Sequence, residues 1–448
     1  MKIEKYNIII VGGGHASLET AFVSATLGLK VLLLSQNVDT IGQLSCNPSM
    51  GGLGKSNLIK EIDVLGGLIG RVSDISSIQN TLLNTNKGYS VQAIRVQIDQ
   101  YIYKRYVRKL LGRQKNLIII QQCVNSILID NFIIKGLQTT LNTFFYGSIV
   151  IIATGTFLQG KICVGHQIQI GGRLNSIFSS KLATQLKRLP LHSGRLKTGT
   201  PPKILKKSVN FSLLKRHYTL PNVYLNFSLL YKKYNRLNTF SCFKTQTNYL
   251  THNVILQYLD SAIVYTNIIN SIGPRYCPSI EDKVIRFSSK DSHNIFIESE
   301  GLDNFEIYPN GIATSLPFSI QLKFLHTIIG FNYASIVRMG YAIEYNFFDP
   351  QDLRKTLEVK YISNLFFAGQ INGTTGYEEA AAQGLIAGIN SFLLIKKKKG
   401  IILKESCSYI GLLIHDIVHQ GIKEPYRMFT YRAENRIFLR EDNLQTRL

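Results

Sequence analysis

The sequence of 448 residues has no tryptophan, few acidic residues and no apolar run near the roughly 18 residues that span a bilayer. A membrane protein is therefore not expected. Its six cysteines, Cys46, Cys123, Cys163, Cys242, Cys277 and Cys407, form no Cys-x-x-Cys pair and no zinc-type Cys/His spacing. That argues against a metal site and predicts free thiols in a reducing compartment. The N-terminus lacks the charged, apolar and small-residue regions of a secretory leader and reaches a glycine turn after one short apolar run, so a cytoplasmic location is expected. Acidic residues number 28 against 51 Lys and Arg, a formal net charge of +23. Such a balance favours a polyanion such as nucleic acid. An AT-rich coding sequence would also enrich Lys, Ile, Asn, Tyr and Phe without selection for binding, and the charge alone does not separate the two.

What the chain does contain is ordered around residues 6–35, YNIIIVGGGHASLETAFVSATLGLKVLLLS. A β-branched run, Ile8 to Val11, breaks into Gly12, Gly13 and Gly14, passes through a small-residue helix pattern and ends in the apolar run Val31 to Leu34. This is strand, glycine turn, helix, strand. The first glycine makes the turn, the second admits a pyrophosphate to the backbone, and the helix N-terminus supplies positive potential. The third glycine position holds Ser17, and Ser35 and Gln36 stand where an acid would hold a ribose, so the ribose must be bound differently.

Residues 39–60, DTIGQLSCNPSMGGLGKSNLIK, follow. Ser49 to Ser56 approaches a P-loop but has Ser49 in place of the first glycine, which argues against an ATPase. A loop this rich in glycine is better suited to wrap the dinucleotide, which places Cys46 beside it. Residues 95–114 read as a basic helix, either a solvated face or a phosphate-facing one, and Leu117 to Ile120 as a strand leading to Val124 near the dinucleotide. Residues 148–156, SIVIIATGT, read as a buried strand returning to the cofactor. Gly171 to Arg173 and Arg195 to Pro202 read as loops, and residues 305–317 as loop-rich. From about Lys203 to Ser271 Lys, Asn, Tyr, Leu and Phe dominate, the composition of an inserted domain. In residues 272–286, IGPRYCPSIEDKVIR, the neighbouring Arg275 would favour the Cys277 thiolate, although a structural turn cysteine fits the same letters. Residues 364–389 read as a strand, a polar glycine loop and a small-residue helix starting near Gly376, whose N-terminus can face a flavin carbonyl. With Gly12 to Ser17 this favours a flavin over nicotinamide alone. Residues 423–442 interleave Arg with Tyr and Phe, as RNA surfaces and protein interfaces both do.

Taken together, SCNPSMGGLGK, GRLKTGTPP, GPRYCPSIEDK, EIYPNG, GYAIEY, FAGQINGTTGYEEAAAQG and KEPYRMFTYRAE resemble the tRNA uridine 5-carboxymethylaminomethyl modification enzymes, the glucose-inhibited division protein A family. The resemblance covers essentially the whole chain. It implies an α/β fold, a Rossmann-type FAD-binding domain with an inserted α/β domain, divided as 1–202, 203–271, 272–400 and a short C-terminal helical segment 401–448. It also implies an enzyme that installs a carboxymethylaminomethyl or aminomethyl group at C5 of the wobble uridine. Methylenetetrahydrofolate as co-substrate, an amine from glycine or ammonium, FAD and NAD(H), a partner GTPase, tRNA and a homodimer are implied with it. A folate- and FAD-dependent tRNA uracil-5-methyltransferase and a simple NADH-flavin oxidoreductase are the alternatives.

By motif match, Gly12, Gly13, Gly14, His15, Ala16 and Ser17 would bind FAD, joined by Val124, Ser179 and Gln370. The stretch assigned to NAD in the family corresponds to Gly273, Pro274, Arg275, Tyr276, Cys277, Pro278, Ser279, Ile280, Glu281, Asp282, Lys283, Val284, Ile285, Arg286 and Phe287. It has no glycine fingerprint of its own. Uracil C5 becomes nucleophilic once a thiolate adds at C6, so Cys46 and Cys277 are the candidate nucleophile and general acid or base, in an order left open. Departures from the family pattern include Ser17, Ile170 before Gly171, Tyr89, Gln92 and Asn435. The family pattern also continues into a long helical region beyond the position of Leu448.

Overall fold

The strands foreseen from apolar runs lie in one sheet, together with two that were not foreseen, Val124–Asp130 and Ile133–Thr139. In the order Leu117–Gln121, Val31–Ser35, Lys5–Val11, Phe144–Ile152, Ile133–Thr139, Val124–Asp130 they form its main path, and Leu365–Phe367 pairs with Phe144–Ile152. The pairs joining the first four strands are parallel, as is the pair made by Leu365–Phe367, and the last two strands run antiparallel. Strands buried on both faces need apolar residues at every position rather than at alternate ones. Ile8, Ile9, Ile10, Val31 to Leu34 and Ile149 to Ile152 accordingly have 0–1% exposure. The computed structural model describes residues 5–174, 176, 180–217, 225–229, 241–262, 265, 271–275 and 278–448.

Four helices frame the first part of the chain: α1 (His15–Thr26), α2 (Lys55–Val64), α3 (Ile69–Ile75) and α4 (Gln100–Gly112). The long helix Tyr377–Ile395 packs along α1. Their contact is close because small residues line it: a Cβ at Gly384 would lie 2.0 Å from the Ala16 carbonyl oxygen. Thr20 Oγ1 donates to the Gly384 carbonyl at 2.7 Å across the same seam. Chain regions more than 360 residues apart are thus joined at the glycine turn.

Three smaller sheets complete the α/β fold. Ser49–Gly51, Ala93–Ile98 and Ser77–Leu83 make one; Gln167–Ile170, Lys161–Val164, Tyr341–Phe348 and Ser193–Thr200 make another. A six-stranded sheet draws its strands from Lys203 to Arg338 and has its own apolar core, including Ile204, Ile297, Ile307 and Phe324. Among the described residues no helix is long and apolar enough to cross a membrane.

Three local expectations are corrected. Arg195 to Thr200, read as loop, belongs to a strand that pairs residue by residue with Tyr341–Phe348. Only Pro201 and Pro202 lie beyond it. The supposed helix from Arg95 begins as the strand Ala93–Ile98; Asp99 then caps α4 by accepting the Tyr101 and Ile102 N–H groups at 3.0 Å. Residues 305–317 open with the strand Glu306–Asn310, which pairs with Asn294–Ser299.

Candidate active site

Gly12 adopts φ +130°, and a Cβ there would meet the Ala153 carbonyl oxygen at 2.3 Å. Only glycine lets the turn close against the strand Phe144–Ile152 and the residues following it. Gly14 caps α1, and a Cβ on it would meet nothing within 4 Å. The space it faces belongs to a cavity of about 470 Å³ lined by Gly12 to Ala16 at the α1 N-terminus, by Ser35, Gln36, Gln122 and Val124, and by Gly369, Gln370 and Tyr377. Both glycine elements read from the sequence therefore border one cavity, as does Cys46.

Ser17 is fully buried beneath the turn, outside the cavity wall, with its Oγ 2.9 Å from where a Gly12 Cβ would sit. It serves the packing role of the absent third glycine. Ser35 Oγ is occupied by a bond to the Asn37 carbonyl at 3.0 Å. Several buried polar atoms on the wall find no partner among the described residues: Gln122 Oε1, Thr154 Oγ1 and Arg173 Nε. Buried polar groups ordinarily have partners. An open cradle at a helix N-terminus together with orphaned polar atoms suits an elongated, polar, anionic ligand, and FAD meets that description.

At the far end, Gly376 adopts φ +136° at the start of the long helix, and a Cβ there would lie 2.1 Å from Glu379 Oε2 and 2.4 Å from Lys55 Nζ. Lys55 Nζ bridges Glu378 Oε2 at 2.7 Å and Glu379 Oε2 at 3.1 Å, all three being buried. Glu378 also accepts the Gly51 N–H at 2.8 Å, and Glu379 the Met428 N–H at 3.0 Å. Burial drives both carboxyls upward; the Lys55 ammonium overcomes it at Glu378, held below its ordinary value, and Glu379 remains raised. The lysine of the P-loop-like segment thus borders the cavity with its ammonium engaged by two carboxylates.

Cys46 is half-buried. Its N–H donates to Tyr377 Oη at 2.6 Å, and its sulfur lies 3.7 Å from Tyr308 Oη. Arg173 donates from Nη1 to Gln43 Oε1 at 2.6 Å, and burial lowers its guanidinium below the ordinary value. His15 packs against Tyr377 with centroids 4.7 Å apart and the rings tilted by 37°, and bonds Tyr103 Oη at 3.1 Å; burial pulls it down to about 4, so it is neutral.

The stretch from Gly273 to Phe287 divides. Pro274 lines the cavity, and a Cβ on Gly273 would touch Lys197. Arg275, Ile285 and Phe287 are exposed. Ser279 and Asp282 form a reciprocal cap on the helix Ile280–Arg286, whose Ile280 and Val284 enter the core of the six-stranded sheet. Glu281 is buried and accepts from Thr314 Oγ1 at 2.6 Å, while Lys283 Nζ donates to the Gly311 carbonyl at 2.6 Å. Tyr276 and Cys277, like Ser179, lie outside the described residues.

Sequence reading missed Lys55, Glu378, Glu379, Tyr377 and Tyr308. Two carboxylates in a helix's first turn read as ordinary partners of its dipole, so the acidic pair gave no sign of burial. Nothing local marks Tyr308.

A family model described as glucose inhibited division protein A matches residues 7–399. Among solved structures, one of GidA from Aquifex aeolicus in its form II crystal is 40% identical with a TM-score of 0.94, covering 100% of this chain and 73% of that one. A second, from the form I crystal, is 42% identical with a TM-score of 0.95 and covers 99% and 75%.

Proposed function

The chain belongs to the glucose inhibited division protein A family of FAD-dependent tRNA-modifying enzymes, and from that premise we propose that it adds a carboxymethylaminomethyl or aminomethyl group at C5 of the wobble uridine. The observation that carries the reading is Cys46 on the wall of a cavity bounded by both glycine elements. In this reading methylenetetrahydrofolate is the carbon donor, glycine or ammonium the amine source and NADH the reductant. A partner GTPase, a homodimer and a cytoplasmic location belong to the same proposal, as does the division into 1–202, 203–271, 272–400 and 401–448, in which the six-stranded sheet, continuing to Arg338, draws strands from both middle parts.

Bound FAD would supply two-electron redox chemistry. The α1 N-terminus with Gly13 and Gly14 would hold its pyrophosphate, Val124 its adenine end, and Gln370 with the N-terminus of the long helix its isoalloxazine. The amine takes the methylene carbon from methylenetetrahydrofolate as an iminium, releasing tetrahydrofolate. One of Cys46 and Cys277 adds as thiolate to uracil C6, the C5=C6 electrons move to C5 and the C4 carbonyl, and C5 attacks the iminium carbon, whose C=N electrons pass to nitrogen. Loss of the C5 proton to the other cysteine and departure of the thiolate from C6 restore the ring. The anticodon base must leave its stack to enter, at a cost that contacts to the cationic protein would offset.

Mass spectrometry of wobble uridines, after expression in a strain lacking the activity, tests the proposal. Restored modification is expected from the wild-type chain and not from Cys46→Ser, whose flavin spectrum should persist. A yellow, folded wild-type protein that leaves uridine unmodified but turns over NADH with small acceptors would replace the proposal with a simple flavin oxidoreductase.

A further inference from the structure

Two tyrosines from distant parts of the chain converge on Cys46. Tyr377, first residue of the long helix, accepts the Cys46 N–H and donates its own hydrogen to the Asn47 carbonyl at 3.4 Å. That pair of bonds fixes the backbone. Tyr308 comes from the six-stranded sheet and addresses the sulfur, with Oη 3.7 Å from Sγ. It is 3% exposed, and its strand is bonded on one side to Asn294–Ser299 and on the other to Lys203–Leu205. A ladder, not a loop, therefore sets the phenol's position.

The direction of this contact follows from donor chemistry. A thiol is a weak donor and a weak acceptor, so a neutral Cys46 gains little from either orientation. A thiolate has no hydrogen, and only the phenol can then donate. Charge-assisted bonds are about twice as strong as neutral ones. The contact thus favours the ionised sulfur, as any hydrogen bond to the charged form does.

We propose that Tyr308 is a positioning residue for Cys46, its phenol O–H donating to the sulfur, stabilising the thiolate and holding it at the cavity wall. The proposal rests on the reading of Cys46 as one of the two reacting thiols. Burial raises Tyr341 and Tyr377 above the ordinary phenol range, so both are neutral. Arg173 lies near both phenols and donates to Gln43. Glu378 is bound by Lys55. Glu298, paired with Tyr308 in the strand register, is engaged by Arg95 at 2.5 Å.

The test is the pH dependence of Cys46 alkylation by iodoacetamide in the flavin-loaded full chain, followed by mass spectrometry on the peptide holding Cys46. In Tyr308→Phe the inflection should move up by about one unit, slowing alkylation below it about tenfold. An unchanged or lowered inflection with flavin absorbance intact overturns the proposal. Site-specific 3,5-difluorotyrosine at position 308 keeps the ring and acidifies the phenol, so it decides the matter if the phenylalanine variant loses its flavin. Its inflection should move down, and no movement, or an upward one, overturns the proposal. Neither measurement requires tRNA, so a failure to find modified uridine leaves this test intact, and a failure here leaves the wobble-uridine proposal standing.

Discussion

Two ionisable side chains on α1 pull the pH dependence of stability in opposite directions. Burial lowers His15 to about 4, with Glu378 opposing, and raises Glu19 to about 7 even though the Leu68 and Ile69 N–H groups bond its carboxylate. A histidine depressed in the folded state contributes stability that is present above its unfolded value of 6.5 and is lost as pH falls toward 4. A carboxyl raised in the folded state behaves oppositely: its contribution is complete below the unfolded 4.5 and is lost as pH rises through about 7. Glu19→Gln leaves the histidine contribution in place and removes the carboxyl one. At pH 5 the variant should melt at or below the wild type, because an amide imperfectly replaces the carboxyl as a cap for α3. By pH 8 the difference should swing in the variant's favour, since no charge then has to be buried. Thermal melts at the two pH values check this, and a constant difference would show that burial does not perturb Glu19.

At the scale of elements, the long helix organises the site because its first turn is tied to three segments. Tyr377 holds the Cys46 loop, Glu378 holds Gly51, and Glu379 holds Met428, with Lys55 from α2 neutralising the acidic pair. Breaking a buried pair by removing one partner typically costs about 3–5 kcal/mol, since the charge left behind is uncompensated. Lys55→Met should therefore lower the melting temperature and weaken flavin retention together, as read by melting curves and by flavin absorbance after gel filtration. Retained flavin at wild-type stability would show that the triad is not needed for the site. This triad was illegible in the sequence because Lys55 and Glu378 lie 323 positions apart. The strand Val31–Ser35 was legible for the opposite reason: its apolar run is local and is buried on both faces. The strand Ser193–Thr200 falls between these cases. Its Gly, Thr and Pro neighbours resemble a loop, and only the ladder to Tyr341–Phe348 makes it extended.

For the whole molecule, the net charge of +23 has two physical sources to separate, a polyanionic partner and coding drift. The structure supplies a place to ask. On α4, Arg105, Arg108 and Lys109 are exposed, as is Arg113 just past its end, and Arg108 is paired with Asp39 at 3.2 Å. Arg105 and Lys109 are four apart and therefore share one face of the helix. If that face meets tRNA phosphates, each contact to single-stranded nucleic acid adds about 0.7 to the magnitude of the negative slope of log affinity against log salt. Arg105→Ala with Lys109→Ala should then lower the magnitude of the slope by about 1.4 and weaken all tRNAs alike. Filter binding over a salt series measures both quantities. A steep wild-type slope that the double variant leaves unchanged moves the phosphate contacts elsewhere on the surface. A flat wild-type slope assigns the excess lysine and arginine to drift, because counterion release accompanies every neutralised phosphate whichever face the protein presents.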